Sequence, residues 1–301
     1  MKNPLRNGLL FAPFLTTIMA FSPYQTAQIP QNSAVDSPRN IGANVPILKS
    51  SKDETCRPLE NATFQSGEEL VYKIYYNLNF VWIPAGEVTF KITDEGAQYH
   101  LAATGRTYGS YEWFYKVRDN YDTYVEKTTM LPTLSIRDVS EGSYRLYDKV
   151  SYDQKNKKAS YERGNDKNNI DKRGLINLND CMHDVLSVVY YSRTLDYSSA
   201  AVGQEFPIKL MLDEEVVPLR YKFLGKEDKK IRDQGKWSTI KISPQVVSGH
   251  VFKEGTEMKI WASNDANKIP LMIESPVSVG SVKIVLKQWK GLKYDVTAKK
   301  D

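Results

Sequence analysis

The chain has little of the raw material from which metal and thiol chemistry is built. It contains two cysteines, Cys56 and Cys181, and three histidines, His100, His183 and His250. A structural zinc site gathers four soft ligands, and these residues are scattered along the sequence. Cys181 and His183, two apart on a helix, would point to different faces. No metal and no cofactor is expected. Also absent is the Gly-x-Ser-x-Gly elbow of a serine nucleophile; Ser278-Val279-Gly280-Ser281 reads as a turn before a strand. No glycine-rich loop cradles a phosphate. The acidic runs Glu68-Glu69 and Asp213-Glu214-Glu215 are contiguous, and neighbours on a strand face opposite sides, so spacing does not make them acid/base pairs. His183-Asp184 could supply half of a triad, but a histidine near a helix start reads first as a capping or surface residue. No catalytic residue is assigned. The net charge is +5 and the basic residues are spread along the chain, which argues against a nucleic-acid surface.

Long apolar runs are also missing, with one exception at the start. Lys2 and Arg6 precede Leu9 to Phe21, which is interrupted only by Pro13 and the hydroxyls of Thr16 and Thr17. This run is too short to span a bilayer, and Pro13 argues against a buried helix. It reads as a secretory signal over residues 1–27, cleaved beyond Ser22 or near Ala27. No cysteine follows to take a lipid, and no membrane span is expected after signal removal. Residues 28–60, rich in Ser, Asn and Pro, read as a disordered linker. A single β-rich domain is expected over 61–296. Two cysteines in a chain bound for an oxidising compartment point to a Cys56–Cys181 disulfide. Left free at a helix start, Cys181 would instead be a reactive thiol.

What the chain has in quantity is tyrosine, 19 residues within an aromatic fraction of 11%. Tyrosine suits a pleated, half-buried surface. Period-two alternation dominates after residue 61: Leu70, Tyr72, Ile74 and Tyr76 share one face, as do Val88, Phe90 and Ile92. Strands are predicted over 69–76, 86–92, 98–104, 121–126, 134–139 and 144–152, separated by turns such as Asp94-Glu95-Gly96 and Glu141-Gly142-Ser143. This is the spacing of an antiparallel meander. Residues 153–173 are charged and Asn-rich and read as an exposed hairpin end or mobile loop. Alternation resumes at Glu205; residues 225–235 read as a second charged turn, and further strands follow at 238–242, 258–261, 271–274 and 281–286. One helix is expected at about 181–195, with Met182, Val185, Leu186, Val189 and Tyr190 at helical spacing and Asp180 or Asn179 as N-cap. Gly67 to Ile74 resembles Gly203 to Leu210, a hint that two halves open their sheets alike.

Several segments, taken in order, carry a family resemblance. They are Phe64-Gln65-Ser66-Gly67-Glu68-Glu69-Leu70-Val71-Tyr72, Ile83-Pro84-Ala85-Gly86-Glu87, Val117-Arg118-Asp119-Asn120-Tyr121, and Asp184-Val185-Leu186-Ser187 with Tyr190-Tyr191-Ser192-Arg193. Trp261 to Pro270 and Gly280-Ser281-Val282 complete the set. Over Phe64 to about Trp289 the chain resembles the exported bacterial domain-of-unknown-function family 3108. The resemblance implies a large antiparallel sheet rolled into an open half-barrel, similar to the YmcC-like fold, in a periplasmic or outer-membrane setting. It implies no catalytic residue.

Tyr72, Tyr76, Trp82, Tyr111, Trp113, Tyr115, Tyr121 and Trp261 lie on or beside strands. They read either as core and cross-strand packing or as the lining of a concave face that receives a lipid or glycan. On the second reading Tyr72, Tyr76, Trp82 and Trp113 are the candidate ligand contacts. The leading expectation is a non-enzymatic protein of the cell envelope that binds or chaperones a lipid or polysaccharide component. The alternatives are a structural or protein-interaction module docking another envelope protein, and a hydrolase with an unrecognised site. The disulfide is directly testable: non-reducing peptide mapping should return Cys56 and Cys181 in one cross-linked peptide pair. For a loop of this length the chain-entropy model gives about 4–5 kcal/mol of stabilisation. Two alkylatable thiols in the native protein would exclude the bond.

Overall fold

The computed structural model describes residues 58–59, 62–78, 81–113, 115–246, 257–276 and 281–300. The expected signal, nearly all of the linker and Cys56 lie outside them. Fifteen strands form one antiparallel sheet that is not closed into a barrel. The first eight are β1 (Glu69–Leu78), β2 (Val81–Glu95), β3 (Gln98–Thr107), β4 (Arg118–Glu126), β5 (Pro132–Glu141), β6 (Tyr144–Asp153), β7 (Lys158–Asp166) and β8 (Asn169–Asn177). After α1 (Ser187–Ser192), the one α-helix among the described residues, come β9 (Glu205–Leu212), β10 (Glu215–Ile231), β11 (Gly235–Val246), β12 (Lys259–Ser263), β13 (Pro270–Pro276) and β14 (Ser281–Lys290). A short β15 (Lys299–Lys300), beyond the expected domain end at 296, pairs with β11.

The spatial order runs β8 to β1 and then β14 back to β9, so two meanders are joined where β1 pairs with β14. Both begin with the same local device. Gly67 and Gly203 take φ of +89° and +92°, a region that glycine enters without steric cost. Each then starts a ladder: Gly67 N–H donates to Ile92 O and Gly203 N–H to Phe223 O, at 2.9 and 2.8 Å. The inward sets correspond too, with Leu70, Tyr72 and Ile74 matched by Phe206, Ile208 and Leu210, all buried.

The interior differs from one side to the other. Around β1, β2 and β9–β14 it is apolar. On β4, β5 and β6 the buried face instead carries Asp119, Thr123, Ser135, Arg137, Glu141 and Asp148 among apolar neighbours. The inward face of β5 is thus the one opposite to Leu134 and Ile136, which are only half-buried. Of these, Arg137 and Asp148 belong to a seam where the β9–β10 turn meets β5 to β7. The β9–β10 turn places Asp213 and Glu214 at φ of +52° and +70°, an unfavourable region for residues with a Cβ. It is held by ion pairs from across the seam. Arg137 Nη2 lies 2.6 Å from Asp148 and 2.6 Å from Asp213, and Arg163 Nη2 lies 2.8 Å from Asp213. Burial alone would raise the Asp213 carboxyl, but Arg137 and Arg163 hold it below its ordinary value. Beside these charges Val150, Tyr152, Met182 and Met211 pack a small second core.

Three expectations need correction. The helix is confined to Ser187–Ser192, not 181–195. Cys181 to Asp184 is extended, and His183 bridges to Leu210 of β9 in parallel fashion. The helix start is set by Asp184, whose carboxylate accepts Leu186 N–H at 3.3 Å, Ser187 N–H at 2.9 Å and the Thr123 hydroxyl at 2.6 Å. Asp180 instead takes the ammonium groups of Lys157 and Lys209. Of the two readings of residues 153–173 the hairpin holds and the mobile loop does not, for they form most of the β7–β8 hairpin. Main-chain ladder bonds sustain this edge pair, with Ala159, Tyr161 and Ile176 its few contacts to the small second core. For the same reason β10 continues through Lys229 and Lys230 to Ile231, leaving the turn to residues 232–234.

The seam gives a quantitative expectation. Arg137→Met should destabilise the fold by about 3–5 kcal/mol, because it leaves Asp148 without its buried counter-charge and Asp213 with Arg163 alone. Urea denaturation at neutral pH measures it. A loss below about 1 kcal/mol would mean the seam is closed by packing alone.

Candidate functional site

Between α1 and the apolar half of the sheet lies a cavity of about 80 Å³. One water needs roughly 10–15 Å³ on the same measure, so the space exceeds that of several waters. Its walls follow from strand alternation: Leu70 and Tyr72 from β1, Leu219 and Tyr221 from β10, Ile242 from β11, Ile260 and Ala262 from β12, and Ile284 from β14. The roof is Val185, Val188, Val189 and Tyr190 from the helical segment. An isolated helix of this length is unstable in water, so packing over this face holds it in place. Val189, Ile260, Lys268, Pro270 and Ile273 are half-buried, whereas the lining from β1, β2, β9 and β10 is buried. The cavity therefore opens between α1 and the β12–β13 pair, with Lys268 on its rim.

Polar groups facing the cavity are few and largely committed. Tyr72 Oη donates to Pro270 O at 2.9 Å and Tyr197 Oη to Ser192 O at 3.1 Å. Burial pushes both phenols well above the ordinary tyrosine range. The Arg193 guanidinium is paired with Glu68, Nη1 to Oε1 at 2.5 Å and Nη2 to Oε2 at 2.9 Å. Its Nε and Nη2 also donate to Asn267 O, at 3.1 and 3.0 Å.

Of the four aromatic contacts expected from the sequence, Tyr72 lines the cavity and the others do not. Tyr76 and Trp82 sit half-buried toward the β1–β2 turn, with the Lys283 ammonium 4.4 Å from the Trp82 ring centre. Trp113, after a 3₁₀ turn at Gly109–Tyr111, is 83% exposed. Cys181 is buried, and Cys56 lies outside the described residues. Sequence alternation missed Val188, Tyr197, Tyr221 and Lys268 as lining. Val188 lies within α1 and Tyr197 beyond its end, Tyr221 lies on a strand that was not delimited, and Lys268 lies in a turn where no periodicity operates.

Two clusters resemble catalytic groups. His183 Nδ1 lies 3.1 Å from Ser187 Oγ, and the imidazole packs on Tyr191 with ring centres 4.4 Å apart. Burial pulls this imidazole down to about 3, so it is neutral, and both residues are fully buried away from the cavity. Ser187 Oγ also accepts Asp184 N–H, so the pair braces the helix start. The second cluster, invisible to a search for contiguous acids, is Asp119 with Glu141, hydrogen-bonded side chain to side chain and both buried. Burial raises the Asp119 carboxyl to about 6, opposed by that bond and by Ser140 N–H at 3.1 Å. Among the described residues no group of histidine, cysteine or acidic side chains is arranged to hold a metal ion. No helix among them is long and apolar enough to cross a membrane.

An open, curled antiparallel sheet with a helix-roofed apolar cavity defines the architectural class. Within it, the chain belongs to the family described as "Protein of unknown function (DUF3108)", whose model matches residues 71–287. Among solved structures, the chain is similar to a beta-barrel-like protein of domain of unknown function DUF1849 from Brucella abortus. That match has a TM-score of 0.52 and 8% identity, covering 78% of this chain and all of that one, and it supports the fold. A candidate lipoprotein from Parabacteroides distasonis matches at a TM-score of 0.29 and 10% identity, over 77% of this chain and 100% of that one. No curated protein matches.

The carboxyl pair predicts a pH response. Folded Asp119 holds its proton up to about pH 6 whereas an unfolded aspartate releases it near 4, so its contribution to stability is present below about pH 4 and lost as pH rises through about 6. Urea midpoints between pH 4 and 7 should show Asp119→Asn removing that decline relative to the parent protein. Parallel profiles for the two proteins would rule the effect out.

Proposed function

We propose that this is a non-enzymatic protein of the cell envelope that binds the acyl chain of a lipid component in the cavity beneath α1. The observation that carries the reading is the cavity itself. Its walls are aliphatic and aromatic side chains from two meanders. Of its four tyrosine hydroxyls, those of Tyr72 and Tyr197 are bonded to main-chain carbonyls and that of Tyr221 to the Ser192 side chain, leaving Tyr190 as the uncommitted one. A glycan needs many uncommitted donors and acceptors, whereas an acyl chain needs apolar area, about 0.8 kcal/mol for each buried methylene. The site therefore favours the lipid over the polysaccharide. The positively charged and then apolar N-terminus of the sequence supports an exported, periplasmic setting for it.

A protein-interaction role is the second reading, favoured by Trp113, whose ring stands 83% exposed on a connection between strands. Native mass spectrometry of protein purified from its own envelope separates the two. Bound acyl lipid supports the first reading, and a stoichiometric polypeptide lost on Trp113→Ala supports the second. Ile260→Trp, at the half-buried mouth of the cavity, should remove the lipid while leaving the melting temperature within a few degrees. Protein recovered without lipid, with Ile260→Trp indistinguishable from the parent, would end the acyl-chain reading.

A further inference from the structure

Resting on the acyl-chain reading, we propose that the cavity selects an amphiphile with an anionic head, carboxylate or phosphate, held by Lys268 at the rim. Lys268 occupies the turn between β12 and β13 at φ +45°, a region that a lysine enters only at a steric cost. Its main chain is fixed there by Asp265 Oδ1, which accepts the amide protons of Asn267 and Lys268 at 3.1 and 3.2 Å. The side chain is half-buried and forms part of the cavity lining.

The charges around it leave Lys268 available. Asp265 is occupied by that turn, by the Ser263 hydroxyl at 2.7 Å and by Ala298 N–H at 3.3 Å. Asp196 is occupied by Ser198 and Ser199, and these bonds hold its carboxyl well below the usual range. Arg193 is neutralised by Glu68. Among the described residues the Lys268 ammonium accordingly makes no ion pair or hydrogen bond. Burial and the nearby Arg193 draw its pKa down against the pull of Asp196 and Asp265. An anion arriving at the rim reverses that penalty, because it supplies the missing counter-charge in a partly desolvated place.

The geometry also orders the ligand. From the rim the lining passes inward over Ala262 and Ile242 to Leu219 and Tyr221, and the other cation of the lining, Arg193, is already paired with Glu68. A head at Lys268 therefore sends its tail beneath α1.

The test is isothermal titration of the processed full-length protein with palmitate, hexadecyl phosphate and hexadecanol, each below its micelle concentration. Both anions should bind about tenfold more tightly than the alcohol. Lys268→Met should bring the three within about twofold while leaving hexadecanol unchanged, and Lys268→Arg should restore most of the preference. Lys268→Gly, which relieves the positive φ, should behave as Lys268→Met does, separating charge from backbone effects. Tighter binding of palmitate would identify a free fatty acid as the natural class, and tighter binding of the phosphate a phospholipid-derived one. Equal affinity for anions and alcohol, or a preference that survives Lys268→Met, would overturn the proposal while leaving acyl-chain binding intact. Failure of all three to bind would overturn both.

Discussion

The arrangement depends on one buried ion pair. Arg193 follows α1, Glu68 precedes β1, and their side chains are 3% and 1% exposed. Burying two charges costs several kcal/mol each unless every donor and lone pair is matched. Here the match is bidentate, and carbonyls of Asn267 and Thr63 take the remaining donors. The rings of Phe64 and Tyr190 lie 5.5 and 5.7 Å from the guanidinium carbon and shield the pair from water. Its value is positional. One side chain fixes the helix roof, the start of the first meander and the β12–β13 turn of the second, and the turn carries Lys268 next to Asn267.

From that anchor the division of the interior follows. The helical segment separates two environments: Val185, Val188 and Val189 face the cavity, while Asp184 at its start bonds Thr123 on the polar side. An apolar helix start would have left Thr123 and the first helical amides without partners. The polar side also contains a cavity of about 10 Å³ among Ser135, Arg137, Asp148 and Asp184, close to the space of a single water. Hydration and apolar volume are thus kept on opposite sides of the same short helix.

Much of the fold was legible because alternation reports burial directly. Val88, Phe90 and Ile92 read as one inward face and are buried together. The family resemblance was legible for a related reason: Gly67-Glu68, Tyr190 to Arg193 and the run from Trp261 to Pro270 are distant in sequence but meet at the guanidinium. Alternation failed where main-chain bonding did the work, as in β7, β8 and the charged end of β10. On β5 the buried face is that of Arg137 and Glu141 and not that of Leu134 and Ile136, because Arg137 joins the ion-paired seam and Glu141 bonds Asp119. The helix was overextended because a strand bridge at His183 outcompetes a helical pattern, a tertiary effect that local periodicity does not contain. Of the site, Tyr72 was readable from its strand, whereas Lys268 owes its place to the turn that holds it.

The seam has a geometric consequence. In a closed barrel the number of strands and the stagger between them fix the radius, and no side chain can alter it without breaking a ladder. Here the circumference is completed by Arg137, Arg163 and Asp213, contacts that are adjustable in length. The bore of the wall is therefore set by side-chain size and ionic contact at the seam as well as by strand number and stagger.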